Sequence, residues 1–268
     1  MTRTRHASRT PAGGAGGKYP EEYRDYIKPA LDEGLLTEAD LDRSISRILK
    51  ASFRLGELYG NRTVPAQSID IDVVDSPRHR KLALEAAEQA ITLLRNEGDL
   101  LPLAKQQKLA FIGYHANSTQ DLLSSYNGAN TLVNSHSALL AAQNLGLDVT
   151  FARGTSEHIN DANQSFIPAA VAAAKAADVA VVFVGISALG KADEGEEHDR
   201  SSLTLPGAQE PLLDAVLAVQ PRTVVVLVGG GSLSVASARN CASCAVLYAF
   251  YPGELGGDAI VSRLYLNL

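Results

Sequence analysis

The run Val179–Val184 reads VAVVFV, six apolar residues without a polar face. A strand of this kind has to be covered on both sides. That requirement suits a parallel sheet between two helix layers, whereas a half-exposed antiparallel sheet alternates apolar with polar. Further strand-like runs occur at Leu109–Gly113, Leu147–Phe151, Thr223–Val228 and Ala245–Tyr251. Between them, helical spacing or helix-start signals mark Ser137–Leu145, Phe166–Ala177, Gln209–Val219 and a last helix from Gly256 to Leu268. Ser76-Pro77 opens a further helix, expected over Arg78–Leu94. The alternation predicts an α/β fold over Arg78–Leu268, a mostly parallel sheet with helices on both faces.

The VAVVFV run leads into the densest chemistry of the chain. Asp193, Glu194, Glu196 and Glu197 place four carboxylates in five positions, followed by His198, Asp199 and Arg200. Pro206-Gly207-Ala208-Gln209 then opens the next helix. The order strand, loop, helix puts the acids at the carboxyl end of a strand, where open α/β sheets hold their ligands. Crowded carboxylates raise one another's pKa, which keeps one protonated near neutral pH as a general acid. A solvated acidic loop is the alternative from composition alone.

The stretch Glu194-Gly195-Glu196-Glu197-His198-Asp199-Arg200, continued by Leu203-Thr204-Leu205-Pro206-Gly207-Ala208-Gln209, resembles the acid/base segment of glycoside hydrolase family 3. The likeness is nearest to the β-xylosidase and α-arabinofuranosidase branch. Arg95-Asn96 with Leu101-Pro102-Leu103, and Tyr251-Pro252-Gly253-Glu254-Leu255-Gly256-Gly257, resemble two further family signatures. Tyr114, where the family has Pro, and Ser232, where an apolar residue is common, depart from the pattern.

The resemblance implies an incomplete C-terminal α/β-sandwich domain over 78–268, preceded by the last helices of a (β/α)8 barrel over 19–60 and a linker over 61–77. Residues 1–18 read as a disordered tail. Within 19–60, Thr37-Glu38-Ala39-Asp40 is a capping-box-like helix start. Leu41, Ile45, Ile48, Leu49 and Phe53 form an apolar stripe ending near Gly56. Most of the barrel has no counterpart in these 268 residues, so the chain reads as a fragment or a truncated gene model.

The chemistry implied is retaining hydrolysis of a β-glycoside, which needs a carboxylate nucleophile and a second carboxyl as acid/base. By the family pattern Glu196 is the acid/base, with Glu194 in reserve. Glu197, Asp199 and Arg200 shape the loop, and Asp199 and Arg200 are expected to pair. His198 reads as a spacer. The nucleophile has no matching position and is expected on the missing barrel domain, which is thus the implied partner. The substrate expected is an oligosaccharide or aryl glycoside. Tyr126-Asn127-Gly128 resembles a turn near the active-site rim, with packing as its expected role.

Composition narrows the classes further. A net charge of -6 argues against a nucleic-acid surface, and 46% hydrophobic with 20% charged residues is globular usage. No apolar run is long enough to span a bilayer. The family suggests secretion, although the basic start lacks the apolar core of a signal peptide. No cofactor or metal site is expected. Cys241 and Cys244 form C-x-x-C without a redox context and are expected to be inert small residues. Asn61, Asn117 and Asn163 stand in glycosylation sequons of chance frequency. Two other classes stay open: a non-catalytic sugar-binding domain, and a nucleotide-binding module built on Gly229-Gly230-Gly231-Ser232.

Overall fold

The computed structural model describes residues 20–58, 64–125, 127, 135–188 and 200–266. The chain divides into two compact units, Met1–Val73 and Val74–Leu268.

In the first unit, α1 (Pro20–Asp32) is followed by α2 (Glu38–Leu55). The capping box is formed. Thr37 Oγ1 accepts from the Asp40 N–H at 3.2 Å, and Asp40 Oδ2 accepts from the Thr37 N–H at 3.0 Å. These bonds satisfy two of the donors that every helix start leaves open. Gly56 ends α2 in the left-handed conformation at φ 79°, which costs glycine nothing. No residue of α2 is buried, so Ile45, Ile48, Leu49 and Phe53 form an exposed apolar stripe.

The second unit begins with α3 (Pro77–Ala90), capped by the Ser76 hydroxyl. Its strands are β1 (Thr92–Asn96), β2 (Leu109–Ile112), β3 (Val149–Ala152), β4 (Val179–Gly185), β5 (Thr223–Val228) and β6 (Ala245–Phe250). The helices between and after them are α4 (Ala138–Asn144), α5 (Ile167–Ala176), α6 (Gln209–Leu217), α7 (Ala236–Arg239) and α8 (Gly256–Tyr265). The sheet order is β1-β6-β5-β4-β2-β3, parallel throughout except for the antiparallel pair of β1 with β6.

The expected helix Arg78–Leu94 is corrected here. It stops at Ala90, and Thr92–Asn96 is an edge strand. Leu93 packs against the core while Leu94 faces out, and over so few residues helical and alternating patterns coincide. The Asn96 side chain then closes the turn, exchanging two 2.9 Å hydrogen bonds with the Leu101 backbone.

All seven residues of β4 are buried, as its sequence requires. Alternate residues serve two separate cores. Val179, Val181 and Phe183 join Phe111, Val226 and Leu247 beneath α3, α4 and α8. Ala180, Val182 and Val184 join Ile112, Val225 and Leu227 beneath α5, α6 and α7. Each face thus has its own helix layer, the α/β sandwich expected from the continuous apolar strands.

Cys241 and Cys244 are not inert single thiols. They are joined in a disulfide with Cα atoms 5.6 Å apart, immediately before β6.

Candidate active site at the strand ends

Strand order locates the crevice. From β2 the chain moves outward to β3, then crosses back over β2 to β4 and continues to β5 and β6. The direction of winding reverses between β2 and β4, and in open α/β sheets ligands bind outside the carboxyl ends at this switch point. Two segments leave the sheet there: Gly113–Asn117 after β2, and Ile186–Ala188 after β4.

Asp193, Glu194, Glu196, Glu197, His198 and Asp199 all lie outside the described residues, as do Tyr126 and Gly128. What the structure describes is how the acidic loop is held at its two ends. At the outgoing end, Gly185 packs so closely that a Cβ would lie 1.8 Å from the Val228 carbonyl oxygen. The Ile186 N–H donates to that same oxygen at 2.9 Å. Ser187 and Ala188 are buried.

At the returning end, Arg200 donates from Nη2 to the Thr204 carbonyl at 2.5 Å and from Nη1 to the Ser232 carbonyl at 3.3 Å. Thr204 forms a parallel bridge with Ser234, and the Ser234 N–H donates to the Leu203 carbonyl at 2.7 Å. Leu205 enters the core. Gly207 has φ 59°, and a Cβ there would meet the Ile159 carbonyl oxygen at 2.3 Å. Gln209 then reaches back to β4, donating from Nε2 to the Gly185 carbonyl and accepting the Gly185 N–H on Oε1.

The glycine loop 229–232 is likewise occupied by the protein. Gly231 O accepts from the Tyr248 hydroxyl, and Ser232 O accepts from Arg200. A Cβ on Gly229 would meet the Ile186 side chain at 2.5 Å. The second glycine signature is also a packing device, since a Cβ on Gly257 would lie 2.0 Å from the His136 carbonyl. Ser135 Oγ donates to the Glu254 carbonyl at 2.8 Å, and His136 Nδ1 lies 3.1 Å from Asp258. Asn127 donates to the Ser124 carbonyl at 2.6 Å, a bond local to its turn.

A cluster missed in the sequence lies under the crevice. His115 and Asp121 are buried, with His115 Nδ1 3.4 Å from Asp121 Oδ2. Burial pushes the Asp121 carboxyl up, but nearby His115, with Ser187 and Ser118, outweighs it and holds the pKa below the ordinary 3.8. At the rim, Arg153 stands 6.0 Å from the Tyr114 ring centroid and 5.6 Å from that of Phe166. Burial, then the Asp121 charge, raises the Tyr114 pKa. The one sequence signal for this cluster was a His three residues after a buried strand.

The family model described as the glycosyl hydrolase family 3 C-terminal domain matches residues 91–267. The chain belongs to glycosyl hydrolase family 3. It is 36% identical over 240 residues to the probable exo-1,4-beta-xylosidase xlnD of Neosartorya fischeri, covering 89% of this chain and 30% of that protein. Beta-D-xylosidase 1 of Arabidopsis thaliana is 33% identical over 244 residues, covering 90% and 30%. Among solved structures, a family 3 exo-beta-xylosidase (XlnD) in complex with a xylobiose aziridine activity-based probe superposes with TM-score 0.78 and 30% identity, covering 91% of this chain and 31% of that one. A family 3 beta-glucosidase of Bifidobacterium adolescentis gives TM-score 0.75 and 29% identity, covering 92% and 34%. The chain therefore spans about a third of the length of these family 3 relatives.

Proposed function

We propose that this chain supplies the acid/base carboxyl for retaining, exo-acting hydrolysis of β-glycosides of the xylosidase type. Glu196 is the proton donor and Glu194 the reserve. A barrel domain in the whole protein carries the nucleophile. The observation carrying this reading is the anchoring of the acidic loop at the β2/β4 switch point by Gly185, Gln209 and Arg200. The xylosidase names of the relatives give the substrate class. In the reaction, Glu196 protonates the leaving oxygen as the nucleophile attacks the anomeric carbon, then takes a proton from water as the glycosyl-enzyme breaks down. Glu197 shapes the loop and, as a nearby negative charge, keeps Glu196 protonated longer as pH rises.

Secretion of the whole protein suits the Cys241–Cys244 disulfide, because such bonds persist in oxidising compartments. No described helix is long and apolar enough to cross a membrane.

The test is made in a protein that includes the barrel. Glu196→Ala should slow aryl xylosides with poor leaving groups most, and azide should restore breakdown of the glycosyl-enzyme. Transfer of that pattern to Glu194→Ala moves the assignment to Glu194. Its absence from both leaves the sugar-binding reading. The nucleotide alternative is weaker, since the Gly229 N–H, one of the donors a phosphate would need, is already bonded to the Phe250 carbonyl at 3.1 Å.

A further inference from the structure

The connections that leave β2 and β4 part to opposite faces of the sheet. The β2 connection leads to α4, in the layer with α3 and α8, and the β4 connection leads to α6, in the layer with α5 and α7. The crevice at the switch point is therefore bounded by two walls. One is the β4–α6 connection, which carries the acidic loop and is held by Gly185, Arg200 and Gln209. The other is the β2–α4 connection, and a different part of the chain holds it: the turn between β6 and α8.

That hold is made at two points of the second wall. At the first, the Gly253 N–H donates to the Leu122 carbonyl at 2.9 Å. At the second, Ser135, His136 and Ser137 follow one another, and each side chain takes a separate partner. Ser135 Oγ donates to the Glu254 carbonyl at 2.8 Å. His136 Nδ1 lies 3.1 Å from both carboxylate oxygens of Asp258, in the first turn of α8. Ser137 Oγ donates to Asn117 Oδ1 at 3.0 Å, closing the connection on its own start, and accepts the Leu140 N–H at 3.2 Å as the cap of α4. Gly257 brings the His136 carbonyl oxygen to 2.0 Å from where a Cβ would lie, so wall and helix meet backbone to backbone.

The side chains of His136 and Asp258 are 36% and 31% exposed, and a pair so placed adds little to stability. What it supplies is direction. A carboxylate has no proton to give, so Nδ1 is the donor, and its equal distances put it on the bisector of the two oxygens.

We propose that the His136–Asp258 pair is a positioning pair for substrate binding, setting the wall opposite the acidic loop so that the two walls together hold the leaving group. His136 acts through the wall, not by touching substrate. The proposal rests on the reading of the acidic loop as the acid/base segment, because the leaving group lies beside its proton donor.

The 268-residue chain, with nitrogen-15 in its histidine rings, reports on the pair directly. In the neutral ring of His136 the proton should sit on Nδ1, and in Asp258→Ala it should move to Nε2. In a barrel-containing protein, His136→Gln and Asp258→Ala should each raise KM for xylobiose about tenfold and leave kcat within about twofold, the pattern of lost binding rather than lost chemistry. His136→Asn should keep KM near the wild-type value, because its amide nitrogen takes the place of Nδ1 and the longer glutamine does not. The double variant His136→Gln/Asp258→Ala should equal either single one, because both act through one bond. A wild-type proton on Nε2, equal KM in the Asn and Gln variants, or a loss of stability or kcat with KM unchanged would each overturn the proposal. If the Nδ1 proton and the KM pattern hold while Glu196→Ala retains full turnover, the positioning role stands and the role of Glu196 falls.

Discussion

Gln209 grips Gly185 by both of its backbone polar groups. Its Nε2 donates to the Gly185 carbonyl at 2.8 Å, and its Oε1 accepts the Gly185 N–H at 2.7 Å. The glutamine at the start of α6 thereby acts as one more residue of an adjacent strand. It satisfies β4 at the point where the ladder ends, and it ties the return of the acidic loop to its departure.

Gln209→Leu should therefore destabilise the chain by roughly 3 kcal/mol, because two buried backbone groups lose their partners at about 1–3 kcal/mol each. Gln209→Glu keeps the size but turns an acceptor toward the Gly185 carbonyl, and it should recover little of the loss. Urea unfolding followed by circular dichroism measures both. A loss below about 0.5 kcal/mol in Gln209→Leu would contradict the role.

Gly185→Ala should cost at least about 1–3 kcal/mol, since its Cβ lies 1.8 Å from a backbone oxygen with no flexible side chain to move aside. Gly34→Ala serves as a control. It meets nothing within 4 Å and pays only for its positive φ, so it should cost less. Thermal unfolding of the two variants ranks them, and the reverse order would refute the packing argument.

Asp121 predicts a pH effect of definite sign. Its folded pKa lies below the unfolded value, so its contribution is fully present above about pH 4 and fades as pH falls through the depressed folded pKa. Asp121→Asn should be less stable at pH 7 by about 1–3 kcal/mol. Its stability should also fall less steeply with acid than that of the wild type. Chemical denaturation between pH 2 and pH 7 gives both curves, and parallel acid limbs would rule the effect out.

Arg200 holds the carbonyls of Thr204 and Ser232 with two nitrogens of one planar fork, which an ammonium cannot reproduce. In a barrel-containing protein, Arg200→Lys should lower kcat about ten- to hundredfold by loosening the loop's return. The melting temperature should hardly change, because the arginine is only half-buried. Steady-state kinetics with an aryl xyloside and a parallel melt separate the two effects.

If the nucleophile belongs to the barrel, the 268-residue chain alone should not turn over nitrophenyl β-xyloside, α-arabinofuranoside or β-glucoside. Turnover that disappears in Glu196→Gln would place a nucleophile within these residues.

The central strands were legible because burial on both faces leaves an unbroken apolar string. Thr223–Val228 has the bounds read from its composition, and β4 runs one residue past the Val179–Val184 run. β1 was not legible. Thr92–Asn96 pairs on one side only, so it needs no such string, and its leucines also fit the helix before it. For the site, Pro206-Gly207-Ala208-Gln209 was visible as a pattern, yet the task of Gln209 depends on where β4 ends and cannot be read from spacing. His115 and Asp121 were hidden for a related reason. Six residues apart in a polar stretch, they meet only because two short turns fold one under the other. The disulfide was lost to an argument from context, since two cysteines without a redox fold can still bond to each other.

The winding order also sets a timetable. Leu109 pairs with Val179, so the wall formed by β2 has no opposite wall until seventy further residues have been synthesised and α5 has crossed the sheet. The contact is costly in chain entropy and rewarded late, which makes it slow to form compared with the local β2–β3 pairing. During synthesis the Gly113–Asn117 turn therefore exists before anything faces it. Until then β2 waits there as a temporary sheet edge that β4 must reach before another strand does.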